Sequence, residues 1–348
     1  MEILVTGADG YIGSLLVPTL IERGHTVKGL DTGFYREGWL YDDGAPRQLA
    51  DELRKDVRAV TAEDLEGVEA IVHLAELSND PLGQHDEENT YAINHRASVR
   101  LAELCKEQGI ERFVYTSSCS VYGAQDPDVL KTETDSINPQ TAYAHCKALV
   151  ERDVSALADD TFSPTFLRNA TAYGPSPRMR FDIVLNNLSG LAWTTGELRL
   201  TSDGSPWRPL VHVQDICRAI ACTLEAPRPA VHNEIFNVGD TDENYQVREM
   251  ARFISEELPG CPLSTSPSNP DSRSYRVSFE KIQSQLPGFQ CEHTPRDGAR
   301  ELVRLFDRIS LSQETFEFRA FTRLRQLRHL IETGQIDDQF FWKQSSYA

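Results

Sequence analysis

The amino-terminal third of the chain alternates between two hydrophobic periods. Short continuous apolar runs, of the kind buried on both faces of a parallel sheet, occupy residues 2–6, 25–30, 70–75 and 112–116. Between them lie stretches with apolar residues at helical spacing. One runs from Ser14 to Arg23 and is closed by Gly24; another runs from Glu87 to Glu107, with Tyr91, Ile93, Ala97, Leu101 and Leu104 in register and Gly109 as its stop. Strands alternating with helices predict a parallel, doubly wound sheet whose ligand lies at the carboxyl ends of the strands. Farther on, 198–200 and 235–239 read as strands returning to that sheet or its extension. Residues 247–258 and 279–286 read as helices joined by a Pro/Ser-rich loop, 262–270.

This order predicts an α/β protein: a Rossmann-type doubly wound parallel sheet with a smaller, interleaved carboxyl-terminal substrate domain. Residues 1–175 form the cofactor domain, to which 201–240 return in part, while 176–200 and 241–348 form the substrate domain and a helical tail. Past Leu311 the tail carries Phe321, Leu324, Leu327, Leu330 and Ile331 at helical spacing among many arginines, the pattern of a helix packed on this chain or on a partner.

Composition narrows the class of partner. The formal net charge is −18 over 348 residues, so the surface repels phosphate backbones and anionic lipid, and neither nucleic acid nor membrane is expected as a partner. An anionic ligand needs a local basic pocket. No run of eighteen apolar residues is present, and strand-like sequence starting at Glu2 leaves no room for a signal peptide. The seven cysteines are scattered, with none at CxxC or metal-ligand spacing, which predicts reduced thiols, no metal site and a cytoplasmic protein.

The first apolar run ends in Gly7-Ala8-Asp9-Gly10-Tyr11-Ile12-Gly13 and a helix follows, the context a dinucleotide fingerprint requires, here spaced GxxGxxG. Gly7 allows the tight turn, Gly10 lets backbone approach a pyrophosphate at the helix start, and Gly13 lets the helix pack on the sheet. The second run ends at Asp31, 18 residues past Gly13, where a carboxylate accepts hydrogen bonds from the adenosine ribose and repels a 2′-phosphate. That favours NAD over NADP. Asp56 and Val57, after an acidic helix-like segment, are expected beside the adenine.

Tyr143 and Lys147 stand four residues apart in a stretch free of Gly and Pro, so a helix places them on one face. An ammonium beside a phenol favours the phenolate, which makes Tyr143 a general base for an alcohol proton. The run 112–116 leads into Ser117-Ser118-Cys119-Ser120-Val121-Tyr122-Gly123, which puts serine hydroxyls at a strand's carboxyl end.

With these pieces in order, the chain resembles the extended short-chain dehydrogenase/reductases, specifically the NAD-dependent nucleotide-sugar epimerase/dehydratase group, over roughly residues 1–300. The marks are the glycine turn, Asp31, Asp56, His73-Leu74-Ala75, Asn94, the serine-to-VYG segment and Tyr143 to Lys147. The serine five residues before the VYG glycine selects Ser118, and its distance from Tyr143 is similar to that in UDP-galactose 4-epimerase. The resemblance implies that Ser118, Tyr143 and Lys147 are catalytic. It implies that NAD is held by Gly7, Gly10, Tyr11, Ile12, Gly13, Asp31, Asp56, Val57, Leu74, Ala75, Asn94, Tyr143, Lys147 and Asn169. A nucleotide sugar is then held by Ser78, Ser118, Cys119, Ser120, Asn169, Asn187, Arg208 and Arg273, the two arginines clamping its diphosphate.

Two departures bear on the reaction. Pro209 stands where the family has an Asp after the clamping arginine. Cys119 and Ser120 stand where its dehydratases carry Asp-Glu, so no carboxylate is expected to move a carbon-bound proton. The expected reaction is therefore of the 4-epimerase type, with transient oxidation at sugar carbon 4. The alternatives are a 4-ketoreductase or dehydrogenase, a dehydratase or 3,5-epimerase using Cys119, and a catalytically silent NAD-binding scaffold. The 87–107 and 140–158 helices resemble those through which family members form homodimers.

Overall fold

β-Branched and aromatic runs with no polar interruption can be buried only between two helical layers, and the chain builds that sandwich. The structure, a computed structural model, describes residues 1–78, 86–126, 128–200, 202–266 and 273–343. The stretches 79–85 and 267–272, from the polar loop after the fourth strand and the Pro/Ser-rich loop, lie outside the described residues.

From the amino terminus come β1 (Glu2–Thr6), α1 (Gly13–Glu22), β2 (Thr26–Asp31), β3 (Asp51–Arg54) and β4 (Ala70–His73). A helical stretch from Glu87, π-helical over Tyr91–Arg96, leads into α2 (Ala97–Glu107), then β5 (Arg112–Ser118), the short β6 (Leu130–Lys131), α3 (Ala142–Ser155) and β7 (Ser163–Asn169). The carboxyl half follows with β8 (Thr171–Tyr173), α4 (Val184–Thr195), β9 (Leu198–Arg199), β10 (Trp207–His212), α5 (Val213–Glu225), β11 (Glu234–Val238), β12 (Asn244–Gln246) and α6 (Val247–Glu257). Last come β13 (Leu263–Ser264), β14 (Arg276–Val277), α7 (Pro295–Arg308) and α8 (Arg323–Glu332).

Seven of these strands form one parallel sheet in the order β11-β7-β5-β4-β1-β2-β3. Ile3 lies between Val27 on one side and Ala70 on the other, so the strand order reverses at β1, and the crevice outside its carboxyl end is where such sheets bind ligands. Alternation along the strands divides the core. Ile3, Val5 and Val72 face α1 and α5, while Leu4, Ile71, Phe113 and Tyr115 face α2 and α3.

β7 ends at Asn169 and β8 begins at Thr171, so the chain steps directly from the large sheet to a three-stranded one, β12-β10-β8. A separate cluster around Tyr173, Leu185, Leu210, Met250 and Ala299 supports that smaller unit. No described helix is long and apolar enough to cross a membrane.

Two sequence readings need correction. The acidic segment before Asp56 is strand β3, not helix-like: Asp51–Arg54 pair with Lys28–Asp31 at the sheet edge, where charged side chains are tolerated because both faces are not covered. β9 does not rejoin the large sheet but pairs with β13 (Leu198 against Leu263). The tail helix α8 packs on this chain, with Leu327 and Leu330 buried in the α2/α3 side of the core.

Candidate functional site

The cofactor end of the crevice is shaped by what its glycines permit. Gly7 has φ +74°, and a Cβ there would lie 3.0 Å from the backbone of Leu74 and Ala75 at the end of β4. A Cβ on Gly13 would collide with the Gly7 carbonyl. α1 begins without a side-chain cap and without an acidic residue in its first turn, so no side chain competes with an anion for the positive end of the helix. Asp31 closes the ribose side. Its carboxylate accepts from the N–H groups of Asp9 at 3.1 Å and Gly33 at 2.8 Å. Burial, then the Asp9 charge, push this carboxyl up to about 6 against those two hydrogen bonds. Asp9 itself is held by Arg178 through three contacts of 2.5–2.8 Å.

The reaction end is built on α3 and β5. Thr141 caps α3 by accepting from the Ala144 N–H at 3.2 Å, which sets Tyr143 in the first turn and Lys147 one turn on. The Lys147 ammonium lies 5.3 Å from the Tyr143 ring centre and 4.6 Å from that of Tyr115. It donates to the Thr116 carbonyl and pairs with the Glu76 carboxylate, and both side chains are at most 4% exposed. Glu76 also accepts from the Tyr115 hydroxyl at 2.5 Å. Burial pushes the Glu76 carboxyl up while Lys147 pulls it down, and burial prevails. Ser118 ends β5 with its Oγ accepting from the Ser120 N–H at 3.1 Å.

One cleft of about 730 Å³ joins these ends, within the range of small-molecule sites. It brings together Gly7, Gly10, Tyr11, Ile12, Gly13, Asp31, Asp56, Val57, Leu74, Ala75, Ser78, Ser118, Ser120, Tyr143, Lys147, Asn169, Arg208 and Arg273. Asn169 Oδ1 and Ser120 Oγ are buried there without a hydrogen-bond partner among the described residues, as groups that meet a ligand would be. The glycine cradle, the uncapped helix start and Asp31 fit a dinucleotide carrying free ribose hydroxyls. At the far end Arg208 donates to the carbonyls of Trp207, at 2.7 Å, and Arg273.

Three predicted site residues are elsewhere. Cys119 is fully buried and donates its thiol to the Arg168 carbonyl at 3.1 Å; the chain turns into a 3₁₀ helix after Ser118, which swings Cys119 into the core, where burial raises its thiol well above the ordinary range. Asn94 is also fully buried and sits behind the cleft wall, one step from it through Leu77. It accepts from the Leu77 N–H at 2.8 Å and donates to the Leu77 carbonyl at 3.1 Å, pinning the loop that carries Glu76 and Ser78. Asn187 faces solvent on α4 and donates to the Phe181 carbonyl, while Asn186 is the buried member of the pair.

The structure adds residues that the motifs did not single out. Glu76 places a carboxylate in the cleft although none stands at 119 or 120; it follows directly on Leu74 and Ala75, at the carboxyl end of β4. Arg180 lines the cleft, donates to Asp182 at 2.8 Å and to Ser78 Oγ at 3.1 Å, and Asp182 keeps it charged in spite of burial. Arg323 enters the same cleft from the tail. His73, in contrast, is structural: it bridges Thr6 and Ser98 at 2.7 and 2.8 Å, and burial lowers its pKa to about 3, so it stays neutral.

Comparison with known proteins agrees with this geometry. A family model described as the NAD dependent epimerase/dehydratase family matches residues 3–239. UDP-glucose 4-epimerase of Mycolicibacterium smegmatis is 30% identical over 328 residues, covering 88% of this chain and 98% of its own. An uncharacterized UDP-glucose epimerase of Bacillus subtilis, YtcB, is 29% identical over 285 residues, covering 76% and 88%. The structure of MoeE5 in complex with UDP-glucuronic acid and NAD superposes with a TM-score of 0.76 at 28% identity, covering 89% of this chain and all of that one. With an NAD-shaped cradle, a Tyr–Lys pair beside it and a family match across two thirds of its length, the chain belongs to the NAD-dependent epimerase/dehydratase family of enzymes.

Proposed function

We propose that the protein is a nucleotide-sugar 4-epimerase-type oxidoreductase that oxidises its sugar transiently at carbon 4. One observation carries the reading: Ser118, Tyr143 and Lys147 line the same cleft as the dinucleotide cradle, with Arg208 and Arg273 at the opposite end. Bound NAD supplies the acceptor and later the donor of hydride. The chain's own residues handle the proton and the orientation. Tyr143 takes the proton of the carbon-4 hydroxyl and returns it, and Ser118 hydrogen-bonds the same oxygen. Lys147 keeps a positive charge beside the phenol, and its contact with the Thr116 carbonyl fixes where that charge sits. The diphosphate of the nucleotide falls to Arg208 and Arg273, the local basic pocket that an acidic protein needs.

Buried Glu76 favours a second reading. A carboxylate in the cleft could move a carbon-bound proton, which turns the same oxidation into a dehydration or decarboxylation. Absorbance near 340 nm distinguishes the readings when purified protein is titrated with a panel of nucleotide sugars without added cofactor. A rise with one sugar, and product that is its 4-epimer, supports the first; a product that has lost water or carbon dioxide supports the second. A rise only after free NAD is added points to a dehydrogenase or 4-ketoreductase, and Tyr143→Phe retaining activity sinks the mechanism outright. We further infer a homodimer formed through the 87–107 and 140–158 helices, which light scattering at a single chain mass refutes.

A further inference from the structure

Arg323 is a buried cation that shares its nearest counter-ion, Asp182, with a second arginine. It is 4% exposed, its backbone N–H donates to Asp182 at 3.1 Å, and its guanidinium lies 3.9 Å over the Tyr35 ring. Among the described residues that guanidinium has no hydrogen-bond or ion-pair partner. The nearby carboxylates are divided: Asp182 attracts Arg323 but bonds the Arg180 guanidinium, and Asp31 accepts from the N–H groups of Asp9 and Gly33. Arg180 and Arg323 flank Asp182 and repel each other, and burial followed by this repulsion lowers the pKa of Arg323 to about 10 against the pull of Tyr35, Asp182 and Asp31. Burying a charge is costly unless something pairs with it. In a chain of net charge −18, two guanidiniums facing one cleft mark a place built for an anion.

The position indicates which anion. Arg323 lies over Tyr35, in the loop that follows Asp31 at the ribose end, whereas Arg180 bonds Ser78, in the loop that carries Glu76 at the reaction end. Between those ends lie Gly10 to Gly13, where the helix start awaits a diphosphate. The tail that carries Arg323 is fastened to the loop following Asp31. Gln326 donates to the Phe34 carbonyl at 2.9 Å, and Trp342 Nε1 donates to the Thr32 carbonyl at 2.7 Å. Farther along, the Asp338 carbonyl accepts from Asn89 at 2.7 Å, and Arg58 stacks 3.8 Å over Phe341.

We propose that Arg323 is a cofactor-binding residue: the carboxyl-terminal segment closes over the NAD cleft and delivers this guanidinium to the cofactor's diphosphate. The inference goes beyond the sugar reaction and holds whichever sugar is turned over. Its consequence is a cofactor retained through many cycles, because release requires the tail to lift from 32–34 and 58.

The test uses full-length protein stripped of nucleotide, Arg323→Gln and Arg323→Lys, titrated calorimetrically with NAD, ADP, UDP and adenosine. Loss of a charge-assisted contact lowers NAD and ADP affinity roughly ten- to a hundredfold in Arg323→Gln and less in Arg323→Lys, and leaves adenosine within about twofold. The wild-type protein as purified also holds more nucleotide per chain than the Gln variant. A structural role predicts instead that adenosine weakens in proportion to NAD, and that result overturns the proposal; so do unchanged NAD and ADP affinities. If UDP weakens while ADP does not, the anion is the sugar nucleotide's diphosphate and the assignment to NAD is wrong. Folding gives an independent reading: removing an unpaired buried charge leaves the stripped protein's melting temperature equal or higher, yet shrinks the rise that NAD produces. A stripped Gln variant that melts well below wild type refutes the unpaired-charge argument.

Discussion

Asp31 turns cofactor binding into a pH-dependent event. Its carboxyl titrates near 6 in the free protein, above the ordinary 3.8, because burial and Asp9 oppose the charge more than two backbone N–H groups favour it. An acid raised in the folded state stabilises the free protein most below pH 3.8, by up to about 3 kcal/mol, and this contribution is lost as pH rises through about 6. Binding runs the other way, since only the ionised carboxylate accepts both ribose hydroxyls. At pH 5 roughly one free molecule in eleven is ionised, so NAD binds about tenfold more weakly than at pH 8, a loss of about 1.4 kcal/mol. Above pH 7 the profile is flat. The assay is calorimetric titration of stripped protein with NAD from pH 5 to 8, beside Asp31→Asn, which removes the titrating group and leaves a flat, weaker profile. A wild-type affinity constant across that range refutes the argument. So does an Asp31→Asn profile that still bends near pH 6, because another group then carries the effect.

Three further outcomes follow from buried contacts. Glu76→Gln strands the Lys147 ammonium, and breaking a buried pair costs roughly 3–5 kcal/mol, or about 4–7 °C of melting temperature in a chain of 348 residues. Calorimetric melts of the stripped single variant and of Glu76→Gln/Lys147→Met check it, the double variant recovering most of the loss. Glu151 and Arg168, at 2.7–3.2 Å and both about 5% exposed, join α3 to β7 beneath the site, so Glu151→Gln destabilises by a similar amount, and a Glu151→Leu/Arg168→Met pair by much less, in urea unfolding. Cys119→Ala, confined to the core, leaves turnover within about twofold and costs about 1 kcal/mol of stability; abolished activity in a folded variant restores Cys119 as a reacting group.

The cofactor half of the site was legible because each of its parts is local. A buried run, three glycines and an uncapped helix lie within twenty-two residues, and β2 ends in the acid that the fingerprint expects. The misreadings share a cause, which is that contact between distant segments overrode a local pattern. The acidic stretch 51–54 has a helix-like composition, yet its backbone groups are satisfied by pairing with β2. Cys119 sits next to a true site residue, but the turn after β5 is 3₁₀, so strand parity no longer says where the side chain points. Asn94 belongs to the site only through Leu77, a hydrogen bond between segments seventeen residues apart.

What the motifs could not show is which charges converge. Arg180 sits on the crossing from β8 to α4, Arg273 beside β14, and Arg323 on a tail helix 292 positions after the Asp31 it faces. Arg273 was expected from the resemblance, but Arg180 and Arg323 have no local signature, because an arginine in a loop or tail reads as solvated surface until the fold buries it. The family match ends at residue 239, before both Arg273 and Arg323. The glycine turn, Asp31, Ser118, Tyr143 and Lys147 all lie inside that match and account for a dinucleotide beside a proton acceptor. Two of the four arginines lining the cleft lie outside it. The chemistry is therefore encoded where this chain resembles its relatives. How tightly it holds NAD, and which diphosphate it admits, depends on segments 273–277 and 319–343, so variants that change affinity without touching the proton relay belong there.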